Sequence, residues 1–119
     1  MNHQQLIELG LSYNGTSLRY PFDPGLPVLF VRDKMFALLG KHQGEESVNL
    51  KTSPDEAWMQ RETYPRVVLP GYHMNKLHWN TIILNGVVPD EIIIEMFRES
   101  YLRVVANLKK TDRNLLLIN

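Results

Sequence analysis

Ser47-Val48-Asn49-Leu50-Lys51-Thr52 runs without a break into Ser53-Pro54-Asp55-Glu56, and this junction decides the fold class. The first six residues alternate. Val48, Leu50 and Thr52 lie on one side and Ser47, Asn49 and Lys51 on the other, the period of a strand with one buried and one polar face. The next four are a helix start: Ser at the N-cap, Pro at the first helical position and Glu at the third, in the pattern of a capping box. That helix must end by Tyr64, because the residue before Pro65 is pushed out of the α region.

Upstream, Val28 to Val31 and Met35 to Leu39 are β-rich runs joined by Arg32-Asp33-Lys34, which predicts a hairpin. Both faces of these runs are apolar, whereas a half-exposed strand should alternate. Either helices cover both sides there, or the hairpin meets a partner chain. The stretch from Ser12 to Pro27 is punctuated by Pro and Gly and has room for an edge strand only. Before it, Asn2 to Leu11 reads as a short helix with Gly10 near its end. Downstream, Trp79 to Leu84 reads as a strand closed by the Asn85-Gly86 turn. Pro89 to about Leu108 is the longest helix, with Ile93, Met96, Phe97, Val104, Val105 and Leu108 as its buried stripe. The order is helix, strands, helix, strand, helix. Short connections make this an α+β chain with a largely antiparallel sheet packed against helices, and residues 1–119 are expected to form one domain.

Composition narrows the function. Thirteen Lys+Arg balance thirteen Asp+Glu, so strong non-specific attraction to nucleic acid or acidic membranes is not expected. No Cys is present, which excludes disulfides, thiolate-ligated zinc and a thiol nucleophile. Apolar runs such as Ile92-Ile93-Ile94 are far short of a membrane span, and the N-terminus lacks a signal-peptide pattern. A soluble, cytoplasmic protein is expected. No Gly-x-Ser-x-Gly elbow or phosphate-cradling glycine loop occurs, so no enzyme activity and no cofactor is expected.

The balanced charge is uneven along the chain. Between Thr63 and Pro89 there is no Asp or Glu, while Arg66, His73, Lys76 and His78 fall there, interleaved with Tyr64, Tyr72 and Trp79. Cations to meet phosphates and aromatic rings to stack on bases are what nucleic acid requires. Asn49 and Lys51 would extend this surface if their strand neighbours Trp79 to Leu84. The plainer alternative is that Tyr64 and Trp79 anchor the core and the cations flank it. His73 and His78 would ligate a metal only on a helix, and no local carboxylate completes a set, so no metal site is expected. Glu91, Glu95 and Glu99 share one face of the last helix, where Glu99–Arg103 and Glu95–Arg98 pairs would relieve their repulsion.

Three strings carry a family resemblance: Asn49-Leu50-Lys51-Thr52-Ser53-Pro54-Asp55, Pro70-Gly71-Tyr72-His73-Met74-Asn75-Lys76-Leu77-His78-Trp79-Asn80-Thr81 and Asn85-Gly86-Val87-Val88-Pro89-Asp90. With Tyr20-Pro21-Phe22 and Lys34-Met35-Phe36-Ala37-Leu38-Leu39, they resemble the MmcQ/YjbR family over nearly the whole chain, less so before Ser17 and after Leu108. The resemblance implies a small bacterial α+β domain, CyaY-like or similar to a secretion-chaperone fold. It also implies the label DNA-binding, tied to a double-wing arrangement. The family signature falls on Lys51, Ser53, Pro54, His73, Asn75, Lys76, His78 and Trp79. Ser17-Leu18-Arg19 departs from it, since an acidic residue is expected before Tyr20.

The leading expectation is therefore weak, salt-sensitive DNA binding through Lys51, Arg66, Tyr72, His73, Asn75, Lys76, His78 and Trp79. The alternatives are a protein-interaction or chaperone-like module, pairing with a partner or a second copy through the hairpin 28–39, and a binder of small anions around His73, Asn75, Lys76 and His78.

Overall fold

Six strands form one antiparallel sheet in the order β1-β2-β3-β4-β6-β5. They are β1 (Thr16–Arg19), β2 (Val28–Val31), β3 (Lys34–His42), β4 (Glu45–Lys51), β5 (Val68–Pro70) and β6 (Trp79–Ile83). The helices are α1 (His3–Leu11), α2 (Pro54–Thr63), α3 (Asp90–Ala106) and α4 (Lys110–Ile118). The computed structural model describes residues 1–71 and 74–118. As the sequence predicts, the fold is α+β, with an antiparallel sheet and helices packed on it.

The strand-to-helix junction follows its residues in part. Ser53 accepts the Glu56 N–H at 3.2 Å, and Tyr64 closes α2 before Pro65, but the reciprocal bond from the Glu56 side chain to the Ser53 N–H is not among those of the described residues. At α1 the cap is Asn2, which accepts the Gln5 N–H while the Gln5 side chain accepts the Asn2 N–H, a reciprocal pair that satisfies two orphan donors. Gly10 lies inside that helix rather than beyond it. A Cβ there would come within 2.6 Å of Leu29 Cδ1 and 3.1 Å of Phe97 Cζ, so glycine lets α1 sit down on β2 and α3.

The doubly apolar hairpin has a local explanation. Leu29 pairs with Ala37 and Phe30 with Met35, so Phe36 is an extra residue on β3, a β-bulge. The bulge lets Phe36 and Ala37 both face the helices, and both are fully buried. Phe36 packs edge-on against Phe97 and Tyr101 of α3, at centroid distances of 5.5 and 5.4 Å. On the opposite face Phe30 is half-buried beneath the Arg19 guanidinium, 4.5 Å from its ring centre. Arg19 also lies 3.7 Å from Asp33, so the departure at Ser17-Leu18-Arg19 carries a structural contact of its own.

The polar side of β4 departs from expectation. Ser47 and Asn49 are buried rather than solvated, because residues 20–27 return over that face. Asn49 is satisfied there by the Thr81 hydroxyl across the β4–β6 pair. Phe22, Leu26, Met35, Leu38 and Met74 line a groove of about 520 Å³ on this face, above Asn49 and Thr81.

β1 takes up the edge position that the Pro-rich stretch allowed. Two elements escape the sequence reading: β5, only three residues long, and α4, a separate helix beyond Leu108. The expected Glu99–Arg103 and Glu95–Arg98 pairs are not among the ion pairs of the described residues, which are Met1–Asp90, His3–Glu46 and Arg19–Asp33.

Tyr13 and Tyr101 stack beside Phe36 at 4.8 Å, and the Tyr101 hydroxyl donates to the Asn14 carbonyl at 2.6 Å. Burial pushes both phenols above their ordinary value. Arg98 pulls Tyr13 partly back, and Tyr13 pushes Tyr101 further. A raised phenol favours the protonated form in the fold, so this stability is full below about pH 10 and is lost as pH rises through the folded value. Denaturant midpoints should therefore hold to about pH 9.5 and fall above it. Tyr101→Phe should flatten that fall, and an equally steep decline in the variant would count against the assignment.

Candidate functional site

The direction of the strands sorts charge to the two ends of the sheet. β4 and α3 run the same way, joined near their ends by the Lys51 N–H donating to Ser100 Oγ at 2.8 Å. At their starts lie Glu45, Glu46, Asp90 and Glu91. The N-terminal ammonium meets Asp90 there at 2.8 Å, and the His3 N–H donates to Glu46 at 3.0 Å. At the other end, Lys51 closes β4, Lys34 opens β3 and Arg103 sits in the last turn of α3. Ser100, fully buried, donates to the Phe36 carbonyl at 2.6 Å and so fixes β3 and β4 against α3 at this end.

Here a cleft of about 550 Å³ is lined by Lys34, Met35, Lys51, His78, Arg103, Val104 and Asn107. No carboxylate is in its lining. Lys34 Nζ donates to the Asn107 carbonyl at 3.4 Å, at the negative end of α3, which accounts for one cation. Neither Lys34, Lys51 nor Arg103 belongs to an ion pair among the described residues. Arg32 in the β2–β3 turn, and Lys109 and Lys110 at the start of α4, are exposed and add cations at this end.

His78 is held from both sides. Its N–H donates to the Asn75 carbonyl at 3.1 Å, and its carbonyl accepts the Thr52 N–H at 2.7 Å. Its Nδ1 is buried without a hydrogen-bond partner. A proton there would be an orphaned donor, so the neutral ring favours the Nε2–H tautomer.

The remaining predicted residues scatter. β4 and β6 are neighbours, as the extended surface required, and Lys51 faces Trp79 across the pair. Trp79, however, is 8% exposed and serves as a core anchor, not a stacking platform. Arg66, at positive φ in the turn before β5, lies at the opposite end of the sheet, near Ile83. Asn75 shapes the turn, its Oδ1 accepting the Leu77 N–H at 3.0 Å. Lys76 is exposed beside the cleft without lining it, and its carbonyl accepts from Arg61 Nη2. Tyr72 and His73 lie outside the described residues.

Sequence reasoning missed Lys34 and Arg103, which no local pattern joins to Lys51. It also missed Arg61, whose Nε donates to Asn80 Oδ1 at 2.7 Å. Asn80 in turn donates to the Ala57 carbonyl at 3.1 Å and to Gln60 Oε1 at 3.0 Å, tying α2 to β6 and, through Arg61, to the turn that carries His78. Gly71 completes the turn. A Cβ there would stand 2.8 Å from Trp79 Cβ and 2.9 Å from its carbonyl oxygen. Among the described residues, no group of three or more His, Cys, Asp or Glu is placed to hold a metal.

The sequence model of the YjbR family matches residues 11–103, which include every residue that lines the basic cleft except Val104 and Asn107. The chain belongs to the YjbR family. Two Escherichia coli relatives are themselves described as uncharacterised. YbdF from strain O157:H7 is 30% identical over 111 residues, 93% of this chain and 90% of the relative. YjbR from strain K12 is 37% identical over 87 residues, 73% of each. Among solved structures, a Deinococcus radiodurans protein superposes with a TM-score of 0.87 at 31% identity, over 97% of this chain and 87% of that one. A Pseudomonas syringae protein superposes with a TM-score of 0.71 at 29% identity, over 84% of this chain and 96% of that one. This YjbR-family fold thus places the basic cleft and the sheet-face groove side by side, with Met35 lining both.

Proposed function

We propose that this protein is a non-enzymatic, cytoplasmic binding module that docks the phosphates of DNA, weakly and with strong salt dependence, on the basic end of its sheet. The observation that carries this reading is the cleft where Lys34, Lys51, Arg103 and His78 converge with no carboxylate in the lining. Burial of Trp79 removes that ring as a stacking platform, and the contacts proposed for the cleft are to phosphates, which carry no sequence preference. In keeping with a chain free of long apolar segments, no helix among the described residues is long and apolar enough to cross a membrane.

Three cations set the salt response. Each neutralised phosphate contributes about −0.9 to the slope of log K against log salt for duplex, and about −0.7 for single strands. Fluorescence anisotropy between about 25 and 200 mM salt should thus give slopes of about −2.7 and about −2. Lys51→Gln with Arg103→Gln should remove about two thirds of the slope, while Arg66→Gln should leave it unchanged. Salt-independent binding, or none at low salt, rejects the reading.

The groove of Phe22, Leu26, Met35, Leu38 and Met74 favours a second reading, in which a protein partner or a second copy covers the sheet face beside the hairpin. Light scattering at high concentration tests it, and a strict monomer with no captured partner rejects it.

A further inference from the structure

We propose that the basic cleft selects a terminal phosphate, the phosphomonoester of a nucleotide or of a 5′ nucleic-acid end, over the internal diesters of a nucleic-acid backbone. This rests on the phosphate-docking reading above and names the chemical class that the site takes.

Charge comes first. Lys34, Lys51 and Arg103 bring three formal positive charges to one cleft, and among the described residues only the Lys34 side chain has a hydrogen bond that uses part of its donor capacity. Such a cluster is relieved most by the ligand that carries most charge in the smallest volume. A phosphomonoester carries about −1.5 to −2 at neutral pH on three unsubstituted oxygens, whereas a backbone diester carries one charge on two. The donors match the larger demand, since two ammonium groups and a guanidinium fork exceed what two oxygens accept at short range.

His78 also lines the cleft, its Nδ1 buried without a hydrogen-bond partner among the described residues, and backbone bonds to Asn75 and Thr52 hold its main chain in place. In the Nε2–H tautomer its ring adds a further N–H donor to the site. Met35 and the buried Val104 supply the apolar part of the lining beside the cations, a surface for the organic substituent of a monoester. A diester must route carbon chains away from the phosphorus in two directions. The cleft's volume of about 550 Å³ accommodates a mononucleotide-sized group.

The test uses the full chain at about 50 mM salt, with one 3′-labelled oligonucleotide prepared with and without a 5′-phosphate, and with adenosine monophosphate, adenosine and dimethyl phosphate as competitors. The inference expects the 5′-phosphorylated strand to bind at least fivefold more tightly. It also expects adenosine monophosphate to displace the label where adenosine and dimethyl phosphate do not. Displacement by the mononucleotide without any 5′ effect would support monoester selection and identify a free nucleotide as its source. Lys51→Gln should abolish the preference, and Arg66→Gln, at the far end of the sheet, should keep it. Equal binding of both strands, undisturbed by the mononucleotide, would overturn the inference and leave DNA docking standing. Failure of every probe to bind would overturn both.

Discussion

Replacing Phe36 by Ala should cost about 3–5 kcal/mol, the usual range for deleting a fully buried aromatic side chain. Phe36 is 0% exposed and makes edge-on contacts with both Phe97 and Tyr101, so the cavity would open at the centre of the α3–sheet interface. Domains of this size are stable by only about 5–15 kcal/mol, so the variant should lose a large fraction of its stability. The melting temperature should fall by about 12–20 °C at roughly 4 °C per kcal/mol. Phe22→Ala, whose ring is 64% exposed, should change stability by less than about 0.5 kcal/mol and serves as the matched control. Equilibrium urea unfolding of the two variants measures the contrast. A loss below about 1 kcal/mol for Phe36→Ala would mean that the bulge does not place this ring in the core.

The second large effect belongs to Asn80→Ala. Asn80 is fully buried and uses three hydrogen bonds, one from the Arg61 guanidinium and two to α2. Truncation takes a second bond from the Ala57 carbonyl, which keeps its helical partner, and leaves Gln60 Oε1 and the Arg61 Nε–H without Asn80. A buried group left unpaired costs about 1–3 kcal/mol, more when charged, so a total loss of about 3 kcal/mol is expected. Here the measurement of choice is a double-mutant cycle with Arg61→Ala, which should return a coupling of at least about 1 kcal/mol. Additive losses would refute the network. Arg61 also donates to the Lys76 carbonyl, within the turn that delivers His78. Both variants should consequently weaken phosphate binding in whatever fraction remains folded, though neither residue lines the cleft.

Both predictions rest on features that differ in how far the chain announces them. Ser53-Pro54 is a local signal, because cap chemistry involves only adjacent residues, and α2 starts where it says. The bulge at Phe36 is not local. Period-two reasoning assumes a constant register, and one inserted residue makes Phe36 and Ala37 share a face without altering composition. β5, at three residues, is too short for any periodicity to register, and it forms because β6 offers an unpaired edge. The site divides in the same way. The acid-free band led to His78 because neighbouring residues share it, and Lys51 joined it only through the expected pairing of its strand with Trp79 to Leu84. Lys34 and Arg103 reach the cleft only through strand order and the packing of α3 on β3 and β4, which no single segment encodes. Trp79 was ambiguous for a physical reason, since a large aromatic ring suits a core as well as a stack.

The sorting of charge along β4 and α3 has a consequence for how this neutral chain meets other molecules. Carboxylates gather where both elements start and cations where both end, separated by about 20–25 Å of strand and helix. Net charge is zero, yet these two elements carry opposite formal charge at their two ends. An approaching polyanion exerts almost no net pull on the molecule, but its field on this pair of elements favours the orientation with Lys51 and Arg103 forward. Because the separation exceeds a Debye length at ordinary ionic strength, this alignment should persist in dilute buffer and fade as salt rises through about 0.1 M. Collisions at low salt would then be pre-oriented, and association would slow with added salt even though the protein as a whole carries no net charge.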